Sequence, residues 1–336
     1  MASGSREAAV SRTASAAKPR AQRAEGERSH WRVLDLLRWT TEHFASKGIE
    51  SARLDAELLL AFALGVDRLR LYLDFEKPVV DEERARFRAL VRRRGEERVP
   101  VAYLTGVREF WSLPLAVTPD VLIPRPETET LVEAVLRLRS PAARCAGRGR
   151  SSTAGAEPLA SASGSGQRVL DLGTGSGAIA LALAREWPEA QVTATDVSDA
   201  ALAVARKNAE ALGLAGRLRF AAGDWFAPVA GERFDVIVSN PPYVPEADAA
   251  GLAPELCHEP PRALFVPGDG TALLRRIVAE APARLAPGGL LALELAPAQA
   301  GDVTQCLCEA GFEELAEHRD LAGRVRVVSA LRPGGD

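Results

Sequence analysis

From residue 168 onward, short apolar segments alternate with helical segments, and this alternation limits the possible folds more than any other feature of the chain. Alternating strands and helices form βαβ units, which build a mainly parallel sheet covered by helices. Strands are predicted at 168–172, 191–196, 218–223, 234–239 and 289–295, and helices near 177–186, 198–212 and 271–285. The last candidates, 312–319 and 324–331, follow each other directly and predict an antiparallel pair that closes the sheet. A ligand is expected at the carboxyl ends of the parallel strands.

A glycine-rich turn follows the first predicted strand and opens a helix. Its residues are Gly173, Thr174, Gly175, Ser176 and Gly177. Glycines allow a tight turn and a close approach of the backbone to a ligand, although such turns also occur where nothing binds. Asp171, just before the turn, could hold backbone amides of the turn or reach a ligand's amino group, or it could cap the helix.

Acidic residues stand at the ends of the next two strands. Asp196 lies twenty-one residues after Gly175, where a carboxylate can accept hydrogen bonds from both hydroxyls of an adenosine ribose. This arrangement fits S-adenosylmethionine and NAD equally well. Asp224 and Trp225 follow the third strand and could hydrogen-bond to the adenine and flank it, while core packing would also explain the tryptophan.

The end of the fourth strand decides between these cofactors. It carries the tetrapeptide Asn240, Pro241, Pro242 and Tyr243. Two prolines force the chain out of the sheet as a stiff loop whose carbonyls have fixed directions. The side-chain oxygen of Asn240 and the carbonyl of Pro241 can each accept one N–H of an NH2 group, with Tyr243 against its flat face. The held nitrogen then points its lone pair at a sulfonium methyl, which is catalysis by positioning. A dehydrogenase would leave this tetrapeptide unexplained.

The rest of the chain predicts the domain organisation. Residues 31–98 have helical periodicity with stops at glycines, and 107–123 are rich in aromatic and β-branched residues broken by prolines, which predicts a hairpin. The predicted segments are a disordered tail (1–29), a helical N-terminal domain (30–105), a connecting hairpin (106–124) and a methyltransferase domain (125–336) with a flexible insertion at 141–166. Seven arginines between 84 and 98 predict a solvated helix face, with docking of an acidic partner as the alternative.

Composition argues against several classes of protein. A net charge of -3 and an isoelectric point near 6.0 do not suit a protein that holds duplex nucleic acid mainly by neutralising phosphates. The four cysteines form no CxxC pair and the four histidines are scattered, so no metal site is predicted and reduced thiols are expected. No run of about 18 apolar residues is present, so neither a membrane span nor a membrane partner is expected. The cysteine pattern predicts a cytoplasmic location, with a mitochondrial presequence in residues 1–29 as the weaker alternative.

The tetrapeptide after such a sheet resembles enzymes that methylate exocyclic NH2 groups: adenine-N6 DNA enzymes, guanine-N2 rRNA enzymes and glutamine-N5 protein enzymes. Gly106–Leu115, Leu122–Glu129 and the helical N-terminal region are similar to the HemK/PrmC family, the release factor glutamine methyltransferases, over roughly residues 31–331. The resemblance implies a Rossmann-like class I S-adenosylmethionine-dependent methyltransferase sheet. It also implies that the N-terminal domain binds a class-1 peptide chain release factor, whose Gly-Gly-Gln loop enters the pocket; no direct nucleic-acid partner is expected.

The same resemblance implies site residues. S-adenosylmethionine would be bound by Gly173, Thr174, Gly175, Ser176, Gly177, Asp196, Trp225 and Asn240. The glutamine amide would be bound by Asn240, Pro241, Pro242 and Tyr243, of which Asn240, Pro241 and Tyr243 would be catalytic. The alternative is a nucleic-acid amino-methyltransferase that uses the tetrapeptide on a flipped adenine or guanine.

Four residues near these motifs have open or secondary roles. Arg125 and Thr128 either line the cofactor pocket or anchor structure, and the role of Glu259 is undecided. Glu294 begins a Glu-Leu-Ala-Pro stretch where the family leads us to expect a glycine-containing turn. We expect this departure not to touch the methyl-transfer residues.

Overall fold

The computed structural model describes residues 31–139 and 166–334. The predicted tail at 1–29 and residues 141–165 of the predicted insertion lie outside the described residues. The chain divides into two compact units, the first ending at Glu96 and the second beginning at Glu97. Its helical and mixed α/β parts match the predicted fold class.

The first unit is helical, as predicted. Its helices are α1 (Val33–Ser46), α2 (Ala52–Leu64), α3 (Arg68–Leu73) and α4 (Asp81–Gly95). Gly65 has φ +65° and ends α2, because glycine takes the left-handed conformation without a steric penalty. Leu37, Phe44, Leu59 and Leu60 are fully buried and form the centre of the unit.

The arginines of α4 do not all lie on a solvated face, and for Arg94 that prediction is wrong. Its guanidinium Nε lies 2.7 Å from a carboxylate oxygen of Asp55 on α2, and both side chains are more than nine-tenths buried. Asp55 also accepts a hydrogen bond from the Ser51 hydroxyl. A buried charge is tolerated only when it is paired and hydrogen-bonded, so this ion pair fixes α4 against α2. Arg88, Arg92 and Arg93 are exposed, as expected for a solvated face.

The second unit contains a hairpin, a seven-stranded sheet and helices. The strands are β1 (Val107–Phe110), β2 (Leu113–Ala116), β3 (Arg168–Leu172), β4 (Gln191–Asp196), β5 (Leu218–Ala222), β6 (Phe234–Ser239), β7 (Val244–Pro245), β8 (Phe265–Val266), β9 (Leu285–Glu294), β10 (Glu313–Arg319) and β11 (Val325–Leu331). The helices are α5 (Val101–Thr105), α6 (Glu129–Leu138), α7 (Ala178–Glu186), α8 (Asp199–Ala211), α9 (Pro261–Leu264), α10 (Ala272–Glu280) and α11 (Ala300–Glu309).

The strand order of the large sheet is β10-β11-β9-β6-β3-β4-β5. Strands β3 to β6 and β9 run parallel, and β11 is antiparallel to both β9 and β10. The predicted βαβ sheet and the antiparallel closing pair are therefore confirmed. The direction of winding reverses at β3, and the crevice between the carboxyl ends of β3 and β6 is where such sheets bind ligands.

Local sequence explains most element boundaries. Apolar side chains buried on both faces of β3 and β6 make these strands nearly continuous apolar runs, as expected for a parallel sheet. Helix α10 ends at Glu280, five residues earlier than predicted, because Pro282 cannot supply a helical N–H. Helix α11 was not predicted, since its main buried apolar residues are only Val303 and Leu307.

Candidate active site

A cleft lies in the second unit at the carboxyl ends of the parallel strands. Each of four adjacent strands contributes residues to it through the loop that follows. These include Gly173 and Gly175 after β3, Asp196 at the end of β4, Gly223 to Trp225 after β5, and Asn240 with Pro242 after β6. Asp120 to Leu122 and the segment around Arg262 form the remaining wall. The position agrees with the ligand crevice predicted from the βαβ pattern.

The glycine turn is shaped by packing on one side and open space on the other. A Cβ atom on Gly175 would meet no atom within 4 Å, so the backbone there faces the open cleft. Gly177 has φ +85°, and a Cβ there would lie 3.1 Å from Leu181 and 3.2 Å from Ala205. Glycine at 177 therefore allows α7 to start close to α8, while Gly175 leaves its backbone open to a ligand.

Asp171 supports this turn from below and does not line the cleft. One carboxylate oxygen accepts hydrogen bonds from the Thr174 hydroxyl at 2.7 Å and from the Ala180 amide at 3.2 Å. The other oxygen, Oδ1, has no hydrogen-bond partner among the described residues. Complete burial raises the pKa of Asp171 to about 7. Of the roles considered from the sequence, the geometry fits the helix cap and the turn support.

The two polar residues of the turn also point inward. Thr174 and Ser176 are buried, and the Ser176 carbonyl accepts a hydrogen bond from the Asn208 side chain at 2.9 Å. Of the five turn residues predicted to bind the cofactor, Gly173 and Gly175 line the cleft in the part of the chain that the structure describes. Thr174, Ser176 and Gly177 shape the turn, and their contact with the cofactor remains a prediction.

Asn208 on α8 is a structural residue that the sequence reasoning missed. Its Nδ2 donates to the carbonyls of Ser176 and Ala116, and its Oδ1 accepts from the Ala116 amide at 2.7 Å. The side chain is 2% exposed. One amide group thus joins the hairpin to the glycine turn. Within its sequence, Arg-Lys-Asn-Ala-Glu, the asparagine resembles an exposed helix residue.

Asp196 is shared between the turn and its own strand end. Its Oδ2 accepts from the Gly175 amide and its Oδ1 from the Ser198 amide, each at 2.9 Å. A carboxylate offers about four lone-pair sites, so acceptor capacity remains for two ligand hydroxyls. The two backbone contacts hold the carboxylate at the edge of the cleft, as its predicted role requires.

The loop after β5 is bent by steric constraints. A Cβ atom on Gly223, which has φ +153°, would lie 2.6 Å from the ring of Pro228. Trp225 has φ +45°, an uncommon conformation for a residue other than glycine, and its ring comes within 4.0 Å of a Cβ placed on Gly173. Asp224 lines the cleft and pairs with Arg276 at 2.6 Å. Trp225 therefore stands where a planar group beside the glycine turn would contact it.

The residues of the tetrapeptide differ in whether they line the cleft. Asn240 and Pro242 line the cleft, whereas Pro241 is buried. The Asn240 Nδ2 donates to the Thr128 hydroxyl oxygen at 3.1 Å, which leaves its Oδ1 as an acceptor. Of the two roles open for Thr128, this contact fits the structural one, because the threonine holds the first residue of the tetrapeptide.

Tyr243 turns toward β9. Its hydroxyl donates to Oε1 of Glu294 at 3.4 Å, its carbonyl accepts from Gln299, and burial raises the pKa of the phenol. Glu294 therefore touches a predicted methyl-transfer residue, and our expectation that the Glu-Leu-Ala-Pro departure would not do so is wrong. The side chain at 294 reaches back across the sheet edge to the loop after β6, because β9 and β6 are adjacent parallel strands.

Glu259 anchors the 121–125 segment, whose first two residues line the cleft. Its buried carboxylate accepts from the Ile123 amide at 3.0 Å and from the Arg125 guanidinium at 2.5 Å. The Tyr103 hydroxyl donates to the Val121 carbonyl in the same segment. Of the two roles open for Arg125, the geometry fits anchoring, and Glu259 is the anchor's other half.

The described residues contain no group of three or more His, Cys, Asp or Glu side chains that could hold a metal ion. In residues 31–139 and 166–334, no helix is long and apolar enough to cross a membrane.

A seven-stranded sheet of this order, with a glycine turn after β3, an acidic end on β4 and Asn-Pro-Pro-Tyr after β6, defines an S-adenosylmethionine-dependent methyltransferase of class I. Residues 35–106 match the PrmC N-terminal domain and residues 154–270 match the methyltransferase small domain. The chain belongs to the release factor glutamine methyltransferase family, which confirms the resemblance found in its motifs.

Two relatives agree with this assignment, and a solved structure shares the fold. A release factor glutamine methyltransferase of Geobacter sulfurreducens is 43% identical over 299 residues, covering 89% of this chain and 96% of the relative. Another from Rhodopirellula baltica is 43% identical over 311 residues, with the same coverage of 89% and 96%. The crystal structure of the hMettl16 catalytic domain matches with a TM-score of 0.51 at 17% identity, covering 70% of this chain and 81% of that one. The last likeness concerns the fold alone.

Proposed function

We propose that this protein transfers the methyl group of S-adenosylmethionine to the side-chain amide nitrogen, N5, of the glutamine in the Gly-Gly-Gln motif of class-1 peptide chain release factors. It would act in the cytoplasm, on translation termination. The observation that carries the proposal is that Asn240 faces the same cleft as Asp196 and the glycine turn. Relatives 43% identical over nearly the whole chain are named release factor glutamine methyltransferases, which favours a protein amide over a nucleic-acid base.

The residues present fit S-adenosylmethionine. The open backbone at Gly175 leaves room for the cofactor to approach the turn. The remaining acceptor capacity of Asp196 suits its ribose hydroxyls, and the Trp225 ring suits its adenine. When bound, this cofactor supplies a methyl group on a positively charged sulfur. Gly173 completes the turn beside the Trp225 ring.

The acceptor amide would be held by oxygens of the tetrapeptide. The Asn240 Oδ1 and the Pro241 carbonyl would each accept one N–H of the glutamine NH2. Both hydrogen bonds strengthen as the nitrogen gains positive charge, so they stabilise the transition state more than the bound substrate. Pro242 lines the cleft beside them, and Tyr243 fixes the loop through Glu294 and Gln299. That the Tyr243 ring packs on the amide plane stays a prediction.

The protein partner would bind partly through the first unit. Support comes from the match of residues 35–106 to the PrmC N-terminal domain and from the relatives' names. An isolated glutamine would then be a poor substrate, because binding energy from remote contacts helps to position the reacting group.

The test is methylation of a purified release factor with labelled S-adenosylmethionine, followed by mass spectrometry of the Gly-Gly-Gln peptide. We expect one methyl group on that glutamine. A release factor with glutamate in place of this glutamine has no acceptor NH2 and is the matched control substrate. Separate DNA and RNA pools are incubated in parallel. Label confined to nucleic acid would replace the proposal with the nucleic-acid amino-methyltransferase.

A further inference from the structure

Behind the tetrapeptide lies a buried carboxylate that the proposed reaction does not use. Glu294, the last residue of β9, is 1% exposed. Its Oε1 accepts from the Tyr243 hydroxyl, the Thr128 hydroxyl faces the same carboxylate, and Oε2 has no hydrogen-bond partner among the described residues. Burying a carboxylate so incompletely satisfied costs stability, which points to a role other than stability.

The hydrogen-bond directions around Thr128 follow from counting protons. A threonine hydroxyl has one proton to donate, and an ionised carboxylate can only accept. When Thr128 gives its proton to Glu294, its oxygen can only accept, and the neighbouring Asn240 must present Nδ2 to it. The structure contains the second of these two contacts, with 3.1 Å between Nδ2 and the hydroxyl oxygen. The Asn240 oxygen is then left for the cleft.

We propose that Glu294 and Thr128 are positioning residues that fix the Asn240 side-chain amide with its oxygen toward the acceptor NH2. The inference rests on the proposed function, since it takes Asn240 as the group that receives the acceptor N–H. A reversed Asn240 would oppose its own NH2 to the substrate NH2, and neither could accept. This relay, from Glu294 through Thr128 to Asn240, therefore selects the one orientation of the Asn240 amide that binds an NH2 donor.

The ionisation state of Glu294 determines which group donates each hydrogen bond in this relay. A protonated Glu294 can donate to Thr128, which frees the threonine proton for the Asn240 oxygen and permits the reversed amide. Burial raises the pKa of Glu294 to about 7, while the hydroxyls of Thr128 and Tyr243 and the Arg326 guanidinium lower it and Glu127 raises it. These groups come from the 126–128 turn, from the loop after β6 and from β11. Turnover should therefore fall as the pH drops below about 7.

The first test compares Thr128→Val with Thr128→Ser in the full chain. Valine keeps the shape and removes the hydroxyl, whereas serine keeps the hydroxyl. We expect Thr128→Val to lower kcat about tenfold, the size of effect that loss of one hydrogen bond produces, with the Kd of S-adenosylmethionine within about twofold of the parent. Thr128→Ser should stay within about threefold in kcat. An unchanged kcat in Thr128→Val, or an equal loss in both variants, would overturn the inference.

The second test measures single-turnover rates of the parent and Glu294→Gln between pH 6 and 8 at saturating S-adenosylmethionine and release factor. The parent rate should fall toward pH 6, and Glu294→Gln, which cannot ionise, should lose that dependence. A variant that keeps the parent's pH profile overturns the inference. If Glu294→Gln does not fold, the two Thr128 variants decide alone. A parent that leaves the Gly-Gly-Gln glutamine unmodified refutes the proposed function instead, so the two failures are distinguishable.

Discussion

Replacing Asp171 with asparagine should stabilise the protein at pH 8, although it removes a charge beside the glycine turn. The carboxylate is completely buried, and burial raises its pKa to about 7. An aspartate in an unfolded chain has a pKa of about 3.9. Because the folded-state pKa is higher, the folded protein holds this proton more tightly, and ionised Asp171 destabilises the fold at every pH well above 7.

The magnitude follows from that difference of about three pH units. At about 1.4 kcal/mol per unit, the raised pKa of Asp171 lowers the free energy of unfolding by up to about 4 kcal/mol at pH 8 and by about 1 to 2 kcal/mol at pH 5. Asparagine can keep the contacts to Thr174 and Ala180 through its oxygen, but its NH2 occupies the partnerless Oδ1 position. That burial costs about 1.5 kcal/mol. Asp171→Asn should therefore gain about 2 kcal/mol at pH 8 and almost nothing at pH 5.

Urea unfolding of the two proteins at pH 5, 6, 7 and 8 measures this difference. Asp248→Asn, which changes an exposed aspartate, is the matched control and should shift the free energy of unfolding by less than about 0.5 kcal/mol at each pH. The fluorescence of buried tryptophans such as Trp187 reports on the second unit. A variant less stable than the parent at pH 8, or a gain that does not shrink toward pH 5, would refute the reasoning.

Three further substitutions test the site and its support. Asn240→Ala should lower single-turnover methylation about a hundredfold to a thousandfold and change S-adenosylmethionine affinity by less than about tenfold; a variant that turns over like the parent contradicts its role. Asp196→Ala should weaken S-adenosylmethionine binding in calorimetric titration before it affects the rate at saturation, and unaltered affinity would rule out the ribose contact. Asn208→Ala leaves partly buried groups of Ala116 and the buried Ser176 carbonyl unpaired and should lower the free energy of unfolding by about 2 to 4 kcal/mol in urea, whereas a loss under about 1 kcal/mol would contradict the role of Asn208 in joining the hairpin to the glycine turn.

The sheet and the cleft could be predicted because their signals are local in sequence. Strands such as β3, β6 and β9 are largely apolar in sequence. The carboxyl ends of the parallel strands are marked by residues that interrupt the strand pattern, such as Gly173, Asp196 or the prolines after Asn240. Parallel pairing then brings these ends together, since it places every carboxyl end at one edge.

The supporting residues could not be predicted, because their partners are distant in sequence. Asn208 bonds to a residue 92 positions away, and Glu259 to one 136 positions away. Glu294 was misjudged for the same reason: only the adjacency of β9 and β6 brings it to Tyr243. A polar side chain in a helix or at a strand end looks the same in sequence whether it is solvated or buried on a specific partner. Burial, which distinguishes the two cases, is a property of the assembled sheet.

The place of β11 in the sheet has a consequence for how the chain folds during synthesis. This strand is the last in the described sequence, yet it lies between β9 and β10 and hydrogen-bonds to both. Until residue 331 has left the ribosome, β9 exposes an unpaired edge of Leu-rich backbone, a template for pairing with other chains. A nascent chain held with β10 outside the ribosome and β11 still inside would therefore carry a sheet prone to association, and this tendency should end once the seven residues of β11 emerge.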